Sequence, residues 1–152
     1  MNDEQSAKAA RFRALHERPG AFVIPNVWDG GSAAIMAGLG FEALATSSSA
    51  AAATLGKLDG GLTRDEALSH ARAVVAASAL PVSADLEQGF GDSPETVSET
   101  IRRAAAIGVV KQYLVQINPG WINDLSGAKA MGDLTAARRR IEHHDLRCAC
   151  RH

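Results

Sequence analysis

The chain has 152 residues, a mass of 15.9 kDa, 46% hydrophobic and 22% charged residues, a net charge of −1 and a pI near 6.5. This is the balance of one ordinary globular domain, and it excludes collagen-like, disordered and membrane-embedded chains. The near-neutral charge, with no basic stripe, argues against nucleic acid as a partner, and no apolar run reaches the roughly 18 residues of a membrane span.

The polar start MNDEQSAKAARFR lacks the apolar stretch of a secretory signal, so a cytoplasmic location is expected. In chain order, residues 5–17 predict a helix with Phe12 and Leu15 as its apolar edge, broken at Pro19-Gly20. Ala21-Phe22-Val23-Ile24 is a short apolar run ended by Pro25-Asn26, which suits a buried strand. A short helix is expected over 32–39, closed by Gly38 and Gly40. A second buried strand follows at Ala43-Leu44-Ala45-Thr46 and runs into Ser47-Ser48-Ser49. Gly56, Gly60 and Gly61 mark a long loop. Thr63-Arg64-Asp65-Glu66 is a capping box that starts a helix to about Ser78.

Pro81-Val82-Ser83-Ala84 predicts a third strand, ending at Asp85-Leu86-Glu87. Gly89-Phe90-Gly91 turns the chain. Ser93-Pro94 has the residue types of an N-cap and first helical position, for a helix ending at Gly108. Val109-Val110 begins a fourth strand, expected to run as far as Ile117. Short apolar strands alternating with helices predict an α/β fold with a parallel sheet. The polar residues at the strand ends, Asn26, Asp29, Ser47 to Ser49, Asp85 and Glu87, are therefore expected to converge at one edge, where such folds bind ligands.

Character changes near Val110. Residues 1–110 hold 24 alanines and a charge of −4, whereas residues 111–152 hold 5 alanines and a charge of +3. The chain divides accordingly into a regular part, 1–110, and an atypical segment, 111–152. The latter contains Arg138-Arg139-Arg140, which reads as a solvated face, and both cysteines, Cys148 and Cys150. Their spacing makes a poor disulfide or zinc framework.

Asp85 and Glu87 lie two apart, so an extended strand end points both carboxylates the same way. Side by side they repel and raise each other's pKa. A hard cation such as Mg²⁺, which takes one or two carboxylates and keeps several waters, relieves that conflict. Asp59, in the long loop, can fold over the same mouth. The other reading is a solvated acidic turn. Ser47, Ser48 and Ser49 offer hydroxyls and amides to a carboxylate or phosphate, or form a tightly packed small-residue turn. Trp28 reads as a core or mouth-lining aromatic.

The segments Pro25-Asn26-Val27-Trp28-Asp29, Ala45-Thr46-Ser47-Ser48-Ser49-Ala50, Leu55-Gly56-Lys57-Leu58-Asp59 and Pro81-Val82-Ser83-Ala84-Asp85-Leu86-Glu87-Gln88-Gly89-Phe90-Gly91-Asp92 occur in this order over residues 8–110. Together they resemble the isocitrate lyase/phosphoenolpyruvate mutase family. The resemblance implies the N-terminal portion of a (β/α)₈ barrel. A whole barrel needs about 250 residues, so a truncated one is expected, with a frame-shifted or cut gene as an economical cause. It also implies an enzyme that makes or breaks C–C or P–C bonds in small oxo- and hydroxy-acids through an enolate stabilised by Mg²⁺ or Mn²⁺.

By position, the resemblance makes Asp59, Asp85 and Glu87 metal-shell carboxylates acting largely through waters. Ser47, Ser48 and Ser49 become substrate ligands, with Trp28 shaping the mouth. The family's fourth-strand Glu-Asp pair is replaced by Val109-Val110-Lys111-Gln112-Tyr113-Leu114, and its Lys-Cys-Gly-His loop is missing, so no catalytic residue is assigned. An inactive fragment with weak metal or anion binding is the alternative expectation, and a flavodoxin-like binding domain is a third. The open sheet edges of a partial barrel predict self-association.

Overall fold

The computed structural model describes residues 3–114. Its elements are α1 (Asp3–Glu17), β1 (Asn26–Val27), α2 (Gly30–Gly38), β2 (Leu44–Thr46), α3 (Ser48–Thr54), α4 (Arg64–Ala76), β3 (Val82–Asp85), α5 (Pro94–Ala106) and β4 (Lys111–Tyr113). The four strands form one parallel sheet in the order β1-β2-β3-β4. The α/β class with a parallel sheet is therefore as the sequence predicts. All strand C-termini lie at one edge, and the segments that follow β2 and β3 meet there.

Alternation along each strand divides the faces. Leu44, Val27 and Val82 pack with Val74 of α4 and Ala33 of α2. Ala84 and Leu86 pack with Leu68 and Ala71 of α4 and Ala104 of α5. Leu44, Leu86, Val27, Val74 and Val82 are fully buried, each contributing about 1.5–3 kcal/mol of transfer free energy. Helix α1 sits elsewhere, with Phe12 and Leu15 against Ala43, Phe22, Ile24 and Val110. Residues 82, 84 and 86 thus serve the core, which turns Ser83 and Asp85 to the opposite face.

Local signals account for the helix starts. Thr63 accepts from the Glu66 amide while the Glu66 carboxylate accepts from the Thr63 amide, so both halves of the capping box form. Ser93 caps α5, with Pro94 in its first turn.

Three expectations need correction. Residues 21–24 form no strand, and Val23 is 68% exposed. The register Asn26↔Ala45 would set residues 21–24 opposite residues 40–43, where the chain is still leaving α2 through Gly40 at φ +87°, so no extended partner exists. Pairing begins only where the Ala45 amide donates to the Pro25 carbonyl. Second, the long loop expected after the second strand is interrupted by a helix, α3 (Ser48–Thr54). Third, Asp29 is spent on capping α2, accepting from the Ser32 amide at 2.7 Å, and does not join the residues that line the cavity at the strand ends.

The sheet continues past residue 110, since Lys111, Gln112 and Tyr113 pair with Ser83, Ala84 and Asp85. The expectations for Arg138 to Arg140, Cys148 and Cys150 lie outside the described residues. Among the described residues no helix is long and apolar enough to cross a membrane.

Candidate functional site

Two strand ends build the site. At the end of β3 the Asp85 amide donates to Thr46 Oγ1 at the end of β2, at 3.0 Å. The Asp85 carboxylate returns the tie. Its Oδ2 accepts from Ser48 Oγ at 2.8 Å and from the Ser48 amide at 3.2 Å. Its Oδ1 accepts from the Glu87 amide at 3.0 Å. This last bond bends the chain sharply, and Glu87 takes φ +49°, a left-handed conformation uncommon outside glycine.

Extended alternation therefore does not bring Asp85 and Glu87 together, because β3 ends at Asp85. An Asx-type turn does so instead. The turn is locked from below by fully buried Leu86 and by Gly89, whose carbonyl accepts from Thr100 Oγ1 at 2.8 Å. Gly89 sits at φ +89°, and a Cβ there would lie 2.8 Å from Val97 Cγ2, so α5 fixes where the turn sits.

Asp59 reaches the same place on the loop between α3 and α4. Its Oδ1 accepts from the Gly60 amide at 3.1 Å. The loop is anchored by Lys57, whose Nζ donates to both Glu66 carboxylate oxygens at 2.6 and 2.7 Å, and whose amide donates to the Ala52 carbonyl. Lys57 together with the amide and hydroxyl of Thr63 pulls the Glu66 carboxyl down to about 2.

The result is an open cavity of about 460 Å³ lined by Ser47, Ser48, Ser49, Asp59, Asp85 and Glu87, with Gly60 and Gln88. Ser47, Ser48, Ser49, Asp59, Asp85 and Glu87, the six candidate metal and substrate ligands, all line it. Trp28 does not. It is 57% exposed, and its backbone carbonyl meets His70 Nε2 at 2.8 Å. A second cavity of about 480 Å³ shares Gln88 but, among the described residues, has Asp92 as its only carboxylate. Gln88 and Thr46 were not anticipated. Nothing local marks Thr46, whose role depends on the register that sets β2 beside β3.

Among the described residues the lining has three carboxylates and no Lys or Arg. Burial first, then the charges of Asp85 and Asp59, push the Glu87 carboxyl above its ordinary range. Glu87 Oε1 is buried with no hydrogen-bond partner. Such an oxygen is costly to leave unpaired, and a cation or a cation-bound water would satisfy it. Yet among the described residues no group of three or more His, Cys, Asp or Glu side chains is arranged to hold a metal ion. The donor set fits a hydrated hard cation, held by one or two carboxylates and otherwise through water, rather than a closed cage.

Serine chemistry differs along the triplet. Ser47 caps α3, its hydroxyl oxygen accepting from the Ala50 amide. The Ser48 hydroxyl is bound to Asp85. Ser49 is exposed.

Comparison with known proteins places this geometry. A model of the phosphoenolpyruvate phosphomutase family matches residues 12–145, running past Val110 where the segment-by-segment resemblance ends. The chain is 36% identical over 114 residues to 2,3-dimethylmalate lyase of Eubacterium barkeri, and 34% identical over 115 residues to 2-methylisocitrate lyase of Bacillus subtilis. These alignments cover 73% and 72% of this chain but 39% and 38% of the relatives. The crystal structure of a candidate lyase/mutase of Burkholderia cenocepacia J2315 superposes with a TM-score of 0.71 at 56% identity, over 72% of this chain and 40% of that one. The chain thus spans about two fifths of the length of the relatives it matches, and it belongs to the phosphoenolpyruvate mutase/isocitrate lyase family.

Proposed function

We propose that this chain forms the metal- and carboxylate-binding part of a lyase or mutase that acts on a small oxo- or hydroxy-acid through an enolate, on the N-terminal part of a (β/α)₈ barrel. The observation that carries this reading is the convergence of Asp59, Asp85 and Glu87 with three serines in one cavity whose buried Glu87 oxygen has no partner. The names of the relatives, 2,3-dimethylmalate lyase and 2-methylisocitrate lyase, support a methyl-branched hydroxy-acid with two or three carboxylates as the substrate class.

Asp85, Glu87 and Asp59 would hold Mg²⁺ or Mn²⁺, mainly through water. When bound, the ion supplies positive charge beside the oxygen on which negative charge develops as the bond breaks. The chain's own residues perform the rest. Asp85 is fixed by Ser48 and the Glu87 amide, so its carboxylate is already oriented before any ligand arrives. The Ser47 hydroxyl retains a proton to donate to a substrate carboxylate, since it only accepts from Ala50. Burial and the charges of Asp85 and Asp59 raise the Glu87 carboxyl, and a bound cation would offset that repulsion.

A second reading, a family member with weak metal or anion binding and no turnover, is favoured by β4, Lys111–Tyr113, which brings no carboxylate to the strand ends. Calorimetric titration with Mg²⁺, alone and with oxalate as an enolate mimic, tests the proposal. Metal-dependent oxalate binding that disappears in Asp85→Ala supports a working site. Mg²⁺ binding without any effect on oxalate supports the second reading. Heat from neither ligand contradicts both.

A further inference from the structure

We propose that Ser48 is a positioning residue for Asp85 and not part of the cradle for the substrate's carboxylate. The proposal rests on the functional reading above and reassigns one of its residues.

A serine hydroxyl has one proton to give. That of Ser48 goes to Asp85 Oδ2 at 2.8 Å, and the Ser48 amide donates to the same oxygen at 3.2 Å. With the Glu87 amide on Oδ1, three donors occupy the carboxylate. A carboxylate has roughly four acceptor sites, so one remains, on Oδ1. The Asp85 backbone is held as well, through Thr46 Oγ1. Asp85 is therefore locked both in position and in which oxygen it turns to an incoming cation.

The neighbours of Ser48 have no such commitment. Ser47 Oγ accepts from the Ala50 amide at 3.3 Å, and its own proton is unassigned. Ser49 is exposed, at the cavity wall. Three successive serines thus divide by their hydroxyl protons: that of Ser48 is given to Asp85, and those of Ser47 and Ser49 remain for a ligand. Hydrogen bonds to a charged group are the stronger kind, so losing the Ser48 hydroxyl should be felt at Asp85.

The test is calorimetry on the full chain, reading Mg²⁺ affinity alone and oxalate affinity at saturating Mg²⁺. Ser48→Ala should weaken Mg²⁺ binding about tenfold and leave oxalate affinity within about twofold. Ser48→Thr, which keeps a hydroxyl, should restore Mg²⁺ binding. Unchanged Mg²⁺ affinity in Ser48→Ala overturns the proposal. So does a loss of oxalate affinity at saturating Mg²⁺, which would make Ser48 a ligand after all.

A double-mutant cycle in urea keeps the proposal separate from the functional reading. The midpoint shifts of Ser48→Ala and Asp85→Ala should fall short of adding in the double variant. If wild type binds no Mg²⁺, the functional reading fails while non-additivity still supports Ser48 as the group that holds Asp85. Strict additivity overturns that role whatever the metal result.

Discussion

Lys57 and Glu66 close a loop onto a helix start: the Lys57 ammonium donates to both oxygens of the same carboxylate that caps α4 through Thr63. One side chain thereby joins the segment carrying Asp59 to the body of the fold. Glu66 gains protein partners on folding, so its carboxyl falls from 4.5 to about 2. A depressed carboxyl stabilises the folded state above its unfolded value and loses that contribution as pH falls through the folded value. In thermal melts, wild type should exceed Glu66→Gln at pH 6–7, and the gap should close as pH falls from about 4.5 toward 2. Both partners are about one-third exposed, so added salt should narrow the gap as well. A gap that persists at pH 2 would show that the ion pair is not its source.

Glu87 has the opposite sign. Its carboxyl is raised by burial and by Asp85 and Asp59. The folded state then binds a proton more tightly than the unfolded chain. Its contribution to stability is complete below the unfolded value and fades as pH rises through the raised one. Glu87→Gln should therefore melt higher than wild type at pH 7–8 in the absence of metal, and the difference should vanish below about pH 4. Mg²⁺ should raise the melting temperature of wild type and leave the variant nearly unmoved. A variant less stable than wild type at pH 8 would refute this assignment.

Gly89 holds the turn that carries Glu87. At φ +89°, with a Cβ destined to lie 2.8–2.9 Å from both Val97 γ-carbons, it has neither conformational nor spatial room for alanine. Gly89→Ala should cost about 1–3 kcal/mol in urea unfolding. Val97→Ala, introduced with it, should recover only the steric part. Equal stability of Gly89→Ala and wild type would mean that α5 does not constrain the turn.

Thr46 is small, buried and easily mistaken for core. Its hydroxyl receives the Asp85 amide. Thr46→Val keeps the shape and leaves that amide without its partner, so stability should fall by about 1–3 kcal/mol. Chemical denaturation measures it, and a neutral outcome would remove Thr46 from the site.

The legible parts of this structure are those set by local spacing or by strand direction. Thr63 and Glu66 stand three apart, a separation that helix geometry turns into a contact, so the start of α4 could be read to the residue. Asp85 and Ser47 to Ser49 were expected to meet because parallel strands end on one edge, and they do.

What escaped reading depends on the surroundings. Residues 21–24 are apolar enough for a strand but face a turn at Gly40. Helix α3 holds four alanines, which form helices readily, among serines and a threonine, and shows no polar–apolar period to reveal it. Lys57 and Glu66 are nine apart, and only the folded loop makes them neighbours. Glu87 reaches its cavity through a left-handed turn, not through the alternation from which its direction was inferred.

Whether three carboxylates share one cation is tested most directly by Mn²⁺ in place of Mg²⁺, following paramagnetic broadening in amide NMR spectra. Broadening should centre on residues 47–49, 59–60 and 85–88, spare the exposed Trp28 indole by comparison, and shift or weaken in Asp85→Ala. Broadening centred elsewhere, or identical in Asp85→Ala, would contradict the shared site.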